Sequence, residues 1–192
     1  FPGDIGLVYW NDNTKQQVSI PITVADIDGT ANGGNNTGAL EIGQYTTTAG
    51  TTPPSGRYGN KALLSIPSIS VDGNTIFILF SLITDGDSTV DGQSFRDVWV
   101  VASQDGGATW GKIQNVTCTR DEEEYHLSLA KRVGNNLYIL YQWDTEPGSS
   151  VQNGDPISPP SEIHYAVIDK AKALAGTANC AGGNGVTEQN TH

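Results

Sequence analysis

Several groups of side chains in this sequence could do chemistry. Asp121-Glu122-Glu123-Glu124 sets a run of carboxylates beside Tyr125 and His126, residue types that serve as oxygen ligands or as a general base. Asp85, Asp87 and Asp91, interleaved with Gly86 and Gly92, make an oxygen-rich segment of the kind Ca2+ favours, and Asp26-Ile27-Asp28-Gly29 is a second. The 85–92 segment lacks the ligand spacing and terminal Glu of an EF-hand, so its expectation is a loop with Ca2+ as an optional occupant. His126 and His164 stand whole strands apart with no cysteine beside them, which argues against zinc. For the acidic run the plainer expectation is a solvated face in a loop ahead of a strand. No haem, nucleotide-loop or Ser/His/Asp pattern is present, and no other cofactor is expected.

These residues are carried by strand-like runs. Pro67–Val71 reads as a strand, Asp72-Gly73-Asn74 as a turn, and Thr75–Ile83 as a long buried strand. After a polar loop, Asp97–Ser103 and Lys112–Thr117 read as two more. The order recurs downstream: His126–Ala130, a turn at Gly134-Asn135-Asn136, Leu137–Trp143, then Glu162–Ile168. Upstream, Ile5–Trp10 and Gln17–Val24 are joined by a turn at Asn11-Asp12-Asn13. The spacing, roughly 55–60 residues, is that of a repeat architecture. The chain divides at 1–61, a partial repeat with a long Gly/Thr-rich loop containing one strand-like run at 39–45; 62–120; 121–175; and an irregular tail at 176–192. A long loop is expected at 145–160.

The turn between the third and fourth strands is the most distinctive stretch. Ser103-Gln104-Asp105-Gly106-Gly107-Ala108-Thr109-Trp110 spells Ser-x-Asp-x-Gly-x-Thr-Trp. Ser103 and Asp105 can bond backbone N–H groups of a turn, Gly106 and Gly107 accept positive φ, and Trp110 can fold back as an apolar plug. This stretch resembles the Asp box (BNR repeat) of sialidase-like β-propellers, with the likeness running over about residues 62–170. The resemblance implies an all-β fold of antiparallel four-stranded blades, with Ser103, Asp105, Gly107, Thr109 and Trp110 marking the fold rather than catalysing. In the second repeat Asp169–Ala173 stands where the box would be, without its Gly and Trp. The chain holds about two and a half to three blades, too few for a closed ring. Other copies, or the rest of a longer polypeptide, are expected to complete it, and a chain with no Met that opens on Phe1 is expected to have been processed or excised.

The resemblance also implies a chemistry: three arginines on the substrate carboxylate, a Tyr–Glu nucleophile pair and an Asp acid/base. The family's Phe/Tyr-Arg-Ile-Pro motif has its nearest echo at Leu64-Ser65-Ile66-Pro67, where Ser65 replaces the arginine. Arg57, Arg96, Arg120 and Arg132 match none of the remaining motifs, so no catalytic residue is assigned.

Composition bounds the partners. With 21 acidic against 10 basic residues the net charge is −11, which disfavours nucleic acid and anionic membranes. No apolar run approaches a membrane span. Cys118 and Cys180 are the only cysteines, fitting either one disulfide or two buried thiols. Asn35 and Asn115 head N-glycosylation sequons, and the Thr/Pro tract 46–55 suits a surface loop or O-glycans. Trp10, Trp99 and Trp143, with Tyr9, Tyr138, Tyr141 and Tyr165, are expected to pack between sheets, the alternative being a platform for sugar rings. The expected function is therefore non-catalytic and extracellular or at the cell surface, by adhesion, glycan recognition or assembly. Part of a sialidase-like hydrolase and a self-assembling surface or filament glycoprotein are the alternatives.

Overall fold

The computed structural model describes residues 7–13, 16–22, 64–90, 94–147, 161–178 and 189–190. Within them the chain is mostly β, with one short helix. A hairpin, β1 (Leu7–Asn11) and β2 (Gln16–Ile22), precedes two sheets of four antiparallel strands. The first sheet runs β3 (Leu64–Asp72), β4 (Thr75–Ser88), β5 (Ser94–Ser103), β6 (Gln114–Asn115) in chain order. The second runs β7 (Glu123–Leu129), β8 (Asn136–Asp144), β9 (Glu162–Asp169) and β10 (Gln189–Asn190), with a helix α1 (Lys170–Ala175) after β9.

The two sheets are register-equivalent. Ser68 pairs with Leu79 and Leu79 with Val100; in the second sheet Ser128 pairs with Leu140 and Leu140 with Tyr165. Each first strand carries one extra residue at the same place, between Ser65 and Ser68 in β3 and between Tyr125 and Ser128 in β7. Both bulges put a non-glycine residue at positive φ, Ile66 at 52° and His126 at 52°. A β-branched side chain there is strained, so the surrounding sheet has to hold the bulge in place.

Strand alternation then decides the core. One face of β4 and β5 offers Phe77, Leu79, Val98, Val100 and Ala102 to Leu137, Ile139, Tyr141, Ala166 and Ile168 of the second sheet, forming one continuous core. The opposite face of the first sheet, with Ile78, Phe80, Trp99 and Val101, gathers a second core against which Tyr9 and Trp110 pack. The strand edges are joined by side chains as well: Ser68 Oγ accepts the Leu129 N–H at 3.0 Å and Ser70 Oγ donates to the Lys131 carbonyl at 3.0 Å.

Several elements differ from the sequence reading. β4 continues to Ser88, so Asp85 and Asp87 belong to a strand and not to a polar loop, because Ser88 still pairs with Ser94 across the return to β5. The fourth strand of the first sheet is only Gln114–Asn115. The tail is not wholly irregular, since Gln189–Asn190 pairs with His164–Tyr165. Residues 169–176 form a capped helix in place of a hairpin turn: Asp169 accepts the Lys172 N–H at 2.9 Å, and Gly176 closes the helix at φ 74°. Trp10 is exposed, whereas Trp99 is buried in the first core. The run at 39–45, the 46–55 tract and Asp26–Gly29 lie outside the described residues.

Because the cores are closely packed, Leu79→Ala should destabilise the protein by about 2–5 kcal/mol through lost burial and a residual cavity, whereas exposed Ile69→Ala should stay within about 0.5 kcal/mol. Urea unfolding followed by circular dichroism measures both, and equal midpoints would contradict the assigned core.

Candidate functional site

The 103–110 turn folds as its residues dictate. Ser103 Oγ donates to Asp105 Oδ1 at 2.8 Å and accepts the Gly107 N–H at 2.9 Å. Asp105 then accepts the Thr109 N–H at 2.9 Å and the Thr109 hydroxyl at 2.6 Å. Those Thr109 bonds, with the Ser103 hydroxyl, hold the exposed Asp105 carboxyl down to about 2. The Gly106 N–H donates to the Asn74 carbonyl at 2.8 Å, tying this turn to the β3–β4 turn.

The turn is also where the upstream hairpin docks. Trp110 Nε1 donates to Ser19 Oγ at 2.7 Å, and the Ser19 hydroxyl donates onward to the Gly107 carbonyl. Tyr9 meets Trp110 edge-on with ring centroids 5.9 Å apart. Gly107 is required here: its φ is +89°, and a Cβ would come within 2.5 Å of the Tyr9 ring.

At the opposite end of the strands lies a buried polar cluster that the sequence reading missed. Glu123 is 1% exposed and Glu124 is 0% exposed, so this part of the acidic run is not a solvated face. The correction has a physical cause. The edge of β5 beyond the two-residue β6 has N–H groups at Arg96 and Val98 that need acceptors. Glu123 Oε2 takes the Arg96 N–H at 2.9 Å, Glu123 Oε1 pairs with the Arg96 guanidinium at 2.7 Å, and Glu124 Oε2 takes the Val98 N–H at 3.2 Å. Buried Asp97 accepts the Thr119 N–H at 3.1 Å and the Asn115 amide at 2.7 Å.

That network also engages the expected glycan acceptor. The Asn115 side-chain nitrogen donates to Asp97 Oδ2, its oxygen accepts the Cys118 N–H at 3.0 Å, and Thr117 Oγ1 of the same sequon accepts the Val98 N–H at 3.0 Å. Asn35 lies outside the described residues. Cys118 is disulfide-bonded, while Cys180, the chain's other cysteine, lies outside the described residues.

Of the expected Ca2+ ligands, Asp87 is buried and its Oδ1 accepts the Asp121 N–H at 3.0 Å. The Asp85 side chain and Asp91 are outside the described residues. Among the described residues no three His, Cys, Asp or Glu side chains gather to hold a metal ion, and no helix is long and apolar enough to cross a membrane.

Beside the buried cluster, aromatic rings collect where β8 ends and β9 begins. Trp143 stacks on His164 with centroids 4.9 Å apart and planes 8° apart, and Tyr141 meets His164 edge-on at 5.6 Å. Carboxylates flank them: Glu122 accepts from Trp143 Nε1 at 2.9 Å, and Glu162 lies 3.3 Å from His164 Nε2. Buried Tyr125 bonds Asp144 at 3.3 Å and accepts from Gln142 at 2.8 Å, and burial pushes its phenol up. His126, by contrast, is exposed on the β7 bulge.

The protein-family models give no match to this chain, and neither do the curated proteins.

Two outcomes follow from this geometry. Because Asp105 is lowered in the folded state from 3.8 to about 2, its contribution to stability is present above about pH 4 and is lost as pH falls through about 2. An NMR titration of the Asp105 carboxyl should give that low midpoint in the wild type and a higher one in Thr109→Val, still below the ordinary value because the residue-109 N–H and the Ser103 hydroxyl continue to donate. Arg96→Met leaves Glu123 buried without its cation and should cost about 3–5 kcal/mol, whereas Arg96→Met with Glu123→Gln, whose neutral amide oxygen can still accept the residue-96 N–H, should recover a large share of the loss. Urea midpoints measure the pair, and equal losses in the single and double variants would contradict the ion pair's role.

Proposed function

We propose that this chain supplies consecutive blades of an extracellular Asp-box β-propeller that works by adhesion, glycan recognition or structural assembly rather than by catalysis. The observation that carries the reading is the repeat: two four-stranded antiparallel meanders stack face to face, with the Ser103–Trp110 turn between the third and fourth strands of the first. The rest of a longer polypeptide or other copies would complete the ring, since open edges otherwise invite uncontrolled pairing.

The reading away from catalysis is supported by what the acidic and basic groups already do. Glu123, Glu124 and Arg96 are occupied in joining β5 to the second sheet, Asp97 in holding Asn115 and Thr119, and Asp105 in its own turn. For glycan recognition the Trp143–His164 stack is the favoured place. An indole face offers CH–π contact to a sugar ring, and the Glu122 and Glu162 carboxylates beside it can accept from sugar hydroxyls. Their negative charge, in a chain of net −11, favours neutral over anionic sugars.

The test is a glycan array followed by titration of any ligand found. Saturable binding to neutral glycans, about fivefold weaker in Trp143→Ala as expected for an aromatic contact worth roughly 1 kcal/mol, would support the recognition role. Turnover of a fluorogenic sialoside by the purified chain would replace this reading with that of a sialidase-like hydrolase.

A further inference from the structure

The first sheet presents Phe77, Leu79, Val98 and Val100 to its neighbour, and all four are 0% exposed. Register equivalence maps them onto Tyr138, Leu140, Ile163 and Tyr165 of the second sheet. All four equivalents are apolar or aromatic, yet Tyr138 is 40%, Leu140 48% and Ile163 53% exposed. Tyr138 and Tyr165 already lie nearly parallel, with centroids 6.3 Å apart. The polar partner repeats too. Ser68 accepts the N–H of Leu129 from the neighbouring first strand, and its equivalent, Ser128, is exposed at the matching place.

We infer that this outer face of the second sheet is a docking surface for a further four-stranded antiparallel sheet of the same repeat. The partner presents the face that the second sheet itself turns inward, a row like Leu137, Ile139 and Tyr141, and the edge of its first strand donates an N–H to Ser128 Oγ. Two things argue for this occupant: the interface already built between the two sheets, and the absence of formal charge from these positions in a chain of net −11. A second copy docking in the same sense is a poorer fit, because the matching face of its first sheet is already packed by Tyr9 and Trp110. The contact is head-to-tail, so it adds sheets in one direction. The inference deepens the propeller reading and rests on it for the partner's identity, while the docking rule comes from the repeat.

The test extends the full 192-residue chain at its C-terminus, through a flexible linker, with a second copy of residues 64–178, whose first sheet arrives without the β1–β2 hairpin. Leu140→Cys in the original chain places a reporter thiol on the face, with Cys118→Ser in the appended copy because residues 64–178 hold Cys118 without Cys180, and labelling is read against the same chains lacking Leu140→Cys. Labelling of that thiol should be at least about tenfold slower in the extended chain than in the unextended one, and Tyr138→Asp in the original chain should restore it. Equal labelling rates would overturn the inference whether or not the appended copy folds: a folded copy would have declined the surface, and an unfolded one would mean that the face does not template its match. Failure of the propeller reading alone would leave the protection intact, with small-angle scattering revealing sheets that advance along a straight axis instead of turning about a ring.

Discussion

The arrangement of both sheets depends on how the free edge of β5 is satisfied. A buried strand edge must find acceptors for its N–H groups, and β6 is too short to supply them at Arg96 and Val98. Glu123 fills that gap at Arg96, and Glu124 shares the Val98 N–H with Thr117, both carboxylates coming from the first residues of the next sheet. This fixes where β7 begins relative to β5, and hence which residues of the second sheet meet Phe77 and Leu79. Burying several carboxylates near one guanidinium is costly unless each takes donors. Asp97 does so from Thr119 and Asn115, and Glu123 from Arg96.

The two repeats share a frame and differ at its ends. Both first strands bulge at the same register, and both second strands are apolar on both faces. They diverge after the third strand. Where the first has Ser103, whose hydroxyl organises a tight turn, the second has Ile168, which has no hydrogen-bonding group to offer. Asp169 therefore caps a helix made of good helix formers, Lys170–Ala175, and Gly176 ends it. The helix still serves the stack: Ala173 is buried in the shared core and its carbonyl accepts from Gln114 at 2.9 Å.

A buried ionic network and the Trp143–His164 stack lie at the end of the sheets away from the 103–110 turn. One end is thus closed by the docked hairpin, and the other combines a buried ionic network with the stacked rings of Trp143 and His164. In the proposed recognition role, an aromatic face and carboxylates held on a sheet would lose little conformational entropy when a ligand settles on them.

The sequence by itself determined the strands around Leu79, Val100, Ile139 and Ala166, through their alternation and length, and the 103–110 turn, through hydroxyl, carboxylate and glycine at fixed offsets. These are local properties, set by residues within a few positions of one another. Only the tertiary structure decided that Glu123 and Glu124 are buried, that Asn115 turns its amide to Asp97, and that Gln189 and Asn190 form a strand. In each case the deciding partner is remote: Arg96 lies 27 residues from Glu123, and Asn115 lies 18 from Asp97. An acidic run reads as solvated because ionised carboxylates prefer water, and that preference is reversed only by backbone donors and a guanidinium brought close by the packing of two sheets.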